Sequence, residues 1–101
     1  MKLAVLHVPD CPNLAPLLER LGEVTSQVVT TRVIESDEDA ARFGMAGSPT
    51  LLINGADPFA AGEQCGVSCR LYRDDDGRLV PAPSVQQLRE AIDSWGLSGL
   101  A

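Results

Sequence analysis

Three cysteines are the residues of this sequence best suited to chemistry. Cys11 directly follows an apolar segment and a turn, whereas Cys65 and Cys69 form a C-x3-C pair in the second half of the chain. Thiolates attack disulfide bonds and bind soft metals such as mercury or copper. A lone C-x3-C pair is weak evidence for structural zinc, which usually takes two such pairs. The cysteines therefore indicate thiol redox chemistry or soft-metal binding, with Cys11 as the first candidate.

Two titratable side chains lie close to Cys11 in the sequence. Asp10 is most simply a turn or cap residue, and its charge opposes thiolate formation at its neighbour. His7 alternates with Leu3 and Val5 on one face of the preceding segment, which favours a core histidine over a base acting on Cys11. The acidic run at 74–76 is typical of a solvated turn, not of a metal site.

Length, charge and cysteine count limit the class of protein. The 101 residues with a hydrophobic fraction of 45% predict one globular domain over 1–101. The net charge of −6 argues against nucleic acid and anionic membrane surfaces as partners. The N-terminal stretch lacks the long apolar region of a signal peptide, and an odd number of cysteines is typical of a reducing compartment. We therefore expect a cytoplasmic protein that does not enter a membrane.

Strand-like and helix-like segments alternate along the chain. The predicted strands are 2–8, 27–34, 50–54 and 69–73, and the predicted helices are 12–22, 36–44 and 84–95. Ser36 and Gly44 bound the second helix, and Ser84 with Gln87 predicts a capping box for the third. The arginines of 69–73 favour an edge strand. The predicted core residues on the first and third helices are Leu17, Leu18, Leu88, Ile92 and Trp95. The order is β-α-β-α-β-β-α, an α/β fold.

Pro49 stands immediately before the third predicted strand, in the stretch "GSPT". Proline cannot donate to a sheet ladder, so it belongs at the first residue of a strand or on an edge. Such a proline is also a candidate for a cis peptide bond, which in proteins is almost exclusively a proline feature.

The motifs and their order resemble the thioredoxin-like superfamily over residues 2 to about 95. "VPDCPNLAPLLERL" is similar to the cysteine motif and its helix, and "GSPT" is similar to the cis-proline turn. "CPN", "GSPT" and "CRLY" together resemble short bacterial thioredoxin-fold proteins, some of which carry a loose alkylmercury lyase label. The resemblance implies a central mixed four-stranded sheet flanked by helices, with Pro49 cis and facing Cys11.

The family's usual pair of cysteines is absent, and two alignments of the motif remain open. If Cys11 is the first cysteine, Leu14 replaces the second and Pro12 lies at the first helical position. If Cys11 is the second, Val8 takes the first place and Pro16 matches a helix-kinking proline. The first alignment puts Cys11 at the helix N-terminus, where the helix dipole favours a thiolate.

Three functions follow as hypotheses. The first is a redox protein in which Cys11 attacks a protein or small-molecule disulfide beside Pro49, with Cys65 or Cys69 as resolving thiol. The second is mercury binding or organomercury cleavage by Cys11, Asp10 and a loop cysteine. The third is a non-catalytic binding module. None requires a cofactor, and no metal is assigned.

The resemblance also implies where Cys69 lies. An antiparallel fourth strand at 69–73 places Cys69 opposite Asn54, about 17 Å from Pro49 at ~3.3 Å per residue. A disulfide requires α-carbons within about 7 Å, so a Cys11–Cys69 bond is then excluded. Residues 55–68 are long and Gly-rich enough to fold back, which favours Cys65. We therefore expect Cys11 to lack a pre-formed thiol partner in the resting state.

Overall fold

The computed structural model of this protein describes residues 2–60 and 65–98, with side chains as far as residue 94. The prediction that Trp95 is a core residue lies outside the described side chains. In the described residues the elements are, in chain order, β1 (Leu3–His7), α1 (Leu14–Val24), β2 (Val29–Val33), α2 (Asp37–Phe43), β3 (Ala46–Ser48), β4 (Thr50–Ile53), β5 (Gly66–Cys69), β6 (Tyr72–Arg73), β7 (Leu79–Val80) and α3 (Val85–Ser98).

A mixed three-stranded sheet in the order β2-β1-β4 forms the centre of the fold. β1 pairs in parallel with β2, with Leu3 opposite Val29, and antiparallel with β4, with Leu3 opposite Ile53. A parallel pair needs a crossover connection, which α1 supplies. The α/β class and the first three predicted sheet strands are confirmed, and the ends of β1, α1 and β2 differ from the predicted ones by one or two residues.

Local sequence signals fix the ends of α2 and α3. The Ser36 hydroxyl accepts a hydrogen bond from the Asp39 N–H, and Gly44 ends α2 with a left-handed φ of 85°. At α3, the Ser84 hydroxyl accepts from the Gln87 N–H while the Gln87 side chain accepts from the Ser84 N–H. The predicted caps of both helices are confirmed. They could be predicted because each cap involves residues that lie close together in the sequence.

The helices cover both faces of the central sheet. One core cluster joins α1 and α3 to Leu3 and Val5 of β1, and a second joins α2 to Leu6 of the same strand. This alternation follows the period of two along a strand. Of the predicted core residues, Leu17, Leu88 and Ile92 are buried, and Leu18 is half-buried against the first cluster.

The predicted fourth strand at 69–73 is wrong. β5 ends at Cys69 and pairs in parallel with β3, whereas β6 starts at Tyr72 and forms a small antiparallel hairpin with β7. Arg70 and Leu71 lie between the two strands, and the side chain of Arg70 is buried and bonded to Asp57. Within residues 2–60 and 65–98 the central sheet accordingly has three strands, not four.

Candidate functional site

Cys11 lies in the turn between β1 and α1 and is half-buried with a free thiol. The helix begins at Leu14 after the N-cap Asn13, and the Leu14 N–H donates to the Cys11 carbonyl oxygen at 3.3 Å. The prediction that Pro12 occupies the first helical position is therefore wrong, because one extra turn precedes the helix. A polar contact to the Cys11 sulfur comes instead from β3, which is distant in the sequence.

Ser48, the last residue of β3, provides the polar contact of the Cys11 sulfur. Its hydroxyl oxygen donates to Cys11 Sγ at 3.1 Å and accepts a hydrogen bond from the Val8 N–H at 3.0 Å. Because the Val8 amide supplies its own proton to the second bond, the hydroxyl proton remains available for the sulfur. Ser48 is only 1% exposed, so bulk water does not compete strongly for this proton. The sequence analysis did not identify Ser48, although its position directly before Pro49 was a usable signal.

Pro49 follows Ser48 through a cis peptide bond, and β4 begins at the next residue. The prediction of a cis proline at the start of this strand is confirmed. The Tyr72 hydroxyl donates to the Pro49 carbonyl oxygen, and the Thr50 hydroxyl donates to the Gly47 carbonyl oxygen at 2.7 Å. The turn that presents Ser48 to Cys11 is thus held on both sides of the proline.

Arg70 is the buried cation of this region. Its guanidinium donates to Asp57 Oδ2 at 2.5 Å, to Thr50 Oγ1 at 3.2 Å and to the Phe59 carbonyl oxygen at 2.9 Å. It also lies 4.5 Å from the centre of the Tyr72 ring. These contacts tie the loop after β4 to the segment that follows β5. The sequence analysis took the arginines of 69–73 as a sign of an edge strand and did not predict the burial of Arg70, because the carboxylate that compensates it is distant in the sequence.

Cys69 lies next to Ser48, contrary to the sequence prediction. The register of the parallel β3–β5 pair sets Cys69 opposite Ser48, and the Arg70 N–H donates to the Ser48 carbonyl oxygen at 3.0 Å. The prediction that Cys69 lies opposite Asn54 is wrong because 66–69 pairs with β3 and not with β4. Cys65 precedes β5, and both cysteines are exposed and line one open groove.

The other predicted polar residues lie as follows. Asp10 is exposed, next to Cys11, with a left-handed φ of 57°. His7 is buried, so the prediction of a core histidine is confirmed, and its Nδ1 lies 2.9 Å from the Val8 carbonyl oxygen. The run 74–76 forms a turn in which the Asp74 carboxylate accepts from the Asp76 and Arg78 amides.

Neither a group of metal-ligand side chains nor a helix able to span a membrane occurs in the described residues. In the part of the chain that the structure describes, no three His, Cys, Asp or Glu side chains are grouped so as to hold a metal ion. None of the helices in that part is long and apolar enough to cross a membrane. Comparison of the chain with known protein families, with curated proteins and with solved structures finds no match.

Proposed function

We propose that this protein is a thiol-dependent oxidoreductase of the thioredoxin/glutaredoxin type, with Cys11 as its nucleophile and the cis-proline Pro49 beside the site. The substrate is a disulfide of a protein or of a small molecule. The Cys11 thiolate attacks one sulfur of that disulfide, a mixed disulfide forms, and the other sulfur leaves as a thiolate.

The observation that carries the proposal is the hydrogen bond from Ser48 to the Cys11 sulfur, 3.1 Å between the heavy atoms. A hydroxyl that donates to sulfur stabilises the anionic form, which is the nucleophile. The Val8 amide orients this hydroxyl, so the donor is in place before substrate arrives. A cysteine that served only as core packing would need no such donor.

The backbone around Cys11 supports a thioredoxin-like arrangement. A strand, a helix and a parallel strand are followed by an antiparallel strand that begins after a cis proline. The cysteine lies in the turn between the first of these strands and the helix, and the proline turn contacts it through Ser48. The resemblance of the "CPN" and "GSPT" motifs implies a cysteine beside a cis proline, and this contact supports that part of the proposal.

The test is disulfide reduction with a glutathione mixed disulfide as substrate and reduced glutathione as electron donor. Glutathione reductase then reports turnover through the consumption of NADPH. We expect activity in the wild type, its loss in Cys11→Ser, and its retention in the matched control Cys65→Ser. Undiminished activity in Cys11→Ser would refute the proposal. Tight Hg²⁺ binding without any disulfide exchange would instead favour the soft-metal alternative with Cys11, Asp10 and a loop cysteine.

A second variant tests the role of Ser48. Hydrogen bonds to charged groups contribute about 1.5–3 kcal/mol, and 1.4 kcal/mol corresponds to a factor of about ten. Ser48→Ala should therefore slow the alkylation of Cys11 by iodoacetamide by a factor of about 10 to 100. Ser68→Ala removes a hydroxyl from an exposed position on the adjacent strand and is the control. Equal alkylation rates in the two variants would show that the Ser48 hydroxyl does not activate the sulfur.

A further inference from the structure

We infer that Cys69 is the resolving thiol of Cys11, so that the protein completes its reaction as a dithiol although its motif holds a single cysteine. This inference rests on the proposed function. It follows from the position of β5, which brings Cys69 alongside the residue that contacts the Cys11 sulfur.

A β-bulge determines which way the Cys69 side chain points. Ala46 pairs with Gly66 and Ser48 pairs with Cys69, so two steps along β3 correspond to three along β5. Without the extra residue Ser68 would face Ser48, and Cys69 would point to the opposite face, because side chains alternate along a strand. The bulge thus turns Cys69 to the face that Ser48 uses to reach Cys11.

The neighbouring pair of residues supports this orientation independently. A Cβ atom placed on Gly47 would lie 2.8 Å from the Cβ of Arg70, so these two residues share one face of the strand pair. Ser48 and Cys69 are their immediate neighbours in sequence and therefore share the other face.

The spacing leaves a short path between the two sulfurs. Paired strands lie about 5 Å apart, and the Ser48–Cys11 contact adds 3.1 Å, which puts Cys11 Sγ within roughly 10 Å of the Cys69 Cβ. Both thiols are free in the resting structure, and Cys69 is exposed. A disulfide therefore requires the end of β5 to move several ångströms towards Cys11.

The same geometry excludes Cys65 as the nearer partner. Gly66 pairs with Ala46, and its N–H donates to the Met45 carbonyl oxygen at 3.0 Å, so Cys65 lies at the far end of the strand pair from Ser48. Four residues of strand separate Cys65 from Cys69, about 13 Å at ~3.3 Å per residue.

The reaction balances with a disulfide as oxidant. The Cys11 thiolate attacks a substrate disulfide and releases the first substrate thiolate, which leaves a mixed disulfide on Cys11. The Cys69 thiolate then attacks Cys11 Sγ, the Cys11–Cys69 bond forms, and the second substrate thiolate leaves. Two thiols of the protein are oxidised, the substrate disulfide is reduced, and each leaving thiolate takes up one of the two protons that the protein loses.

Cysteine variants oxidised with glutathione disulfide test the inference. Trypsin places Cys11 in peptide 3–20 and both Cys65 and Cys69 in peptide 43–70, so variants must separate the latter two. The Cys65→Ser variant retains Cys11 and Cys69, and the Cys69→Ser variant retains Cys11 and Cys65. A Cys65→Ser/Cys69→Ser double variant retains Cys11 alone. Both substituted positions are exposed, so serine there leaves the core intact, which thermal melting verifies.

We expect the Cys65→Ser variant to link its two tryptic peptides and to release two glutathione molecules per chain. The double variant should stop as a Cys11–glutathione mixed disulfide with one molecule released. If the Cys65→Ser variant also stops there, Cys69 is not the resolving thiol, although the proposed function stands. Equally fast linkage through Cys65 in Cys69→Ser would likewise overturn the choice of Cys69. If Cys11 takes up no glutathione in any variant, the proposed function itself fails, and the role of Cys69 with it.

Discussion

Gly47 of β3 lies so close to β5 that one added methyl group should force the two strands apart. An alanine Cβ at this position would lie 2.8 Å from Arg70 Cβ and 3.2 Å from both Arg70 Cα and the Ser68 carbonyl oxygen. No side-chain rotation relieves these contacts, because two of them are with backbone atoms and the position of the Arg70 Cβ is itself fixed by the backbone. The strands would have to separate.

The expected cost of Gly47→Ala has two parts. Its φ of +92° is unfavourable for a residue with a Cβ, which costs about 1–3 kcal/mol. Overpacking against the Arg70 backbone adds about 1–3 kcal/mol, so the free energy of unfolding should fall by about 2–6 kcal/mol. Gly77 has a similar φ of +80° with nothing within 4 Å of an added Cβ. Gly77→Ala therefore incurs the backbone part alone and is the matched control.

Urea denaturation measures the two parts, provided that the m-value is unchanged. The shift of the unfolding midpoint in Gly77→Ala gives the backbone part, and the additional shift in Gly47→Ala gives the overpacking part. Separation of β3 from β5 also moves Cys69 away from Ser48, so Gly47→Ala should lower the yield of the Cys11–Cys69 disulfide while Gly77→Ala should not. A Gly47→Ala variant no less stable than Gly77→Ala would refute the close approach of the two strands.

Two further substitutions test the core and the buried ion pair. Leu17→Ala should lower the free energy of unfolding by about 2–5 kcal/mol because the side chain is fully buried, whereas Leu79→Ala, half exposed, should change it by less than about 0.5 kcal/mol. Equal losses of the free energy of unfolding in the two variants would mean that Leu17 does not lie on the buried face of α1. Asp57→Ala should lower it by about 3–5 kcal/mol because the Arg70 charge then stays buried without its carboxylate, and Asp75→Ala in the exposed turn is the control. A loss at Asp57 no larger than at Asp75 would mean that the pair is not buried.

The elements that depend on local signals were predictable from sequence. The Ser36 and Gly44 ends of α2 and the Ser84–Gln87 box of α3 each involve residues only a few positions apart. The start of β4 directly after Pro49 was predictable because proline cannot donate a hydrogen bond within a sheet, whereas the cis bond was expected from the resemblance of "GSPT" to the cis-proline turn.

The parts of the site that sequence reasoning missed depend on pairs distant in the chain. Asp57 compensates the charge of the buried Arg70, and a segment containing "CRLYR" does not reveal that partner. The position of Cys69 depends on the pairing of β5 with β3 and on a bulge that shifts the register by one residue. Register is a property of two segments at once, so the sequence of one of them cannot determine it.

Competitive alkylation of the native protein tests the central claim, the activation of Cys11, most directly. Cys11 is half-buried whereas Cys65 and Cys69 are exposed, so accessibility alone predicts that Cys11 is alkylated slowest. The proposed role of Cys11 as the nucleophile, with the Ser48 hydroxyl donating to its sulfur, predicts the reverse order. With a limiting amount of iodoacetamide near neutral pH, mass spectrometry of the labelled protein should show Cys11 modified first. Because Cys65 and Cys69 share a tryptic peptide, fragmentation of that peptide distinguishes them. Slower modification of Cys11 than of both exposed cysteines would contradict its role as the nucleophile.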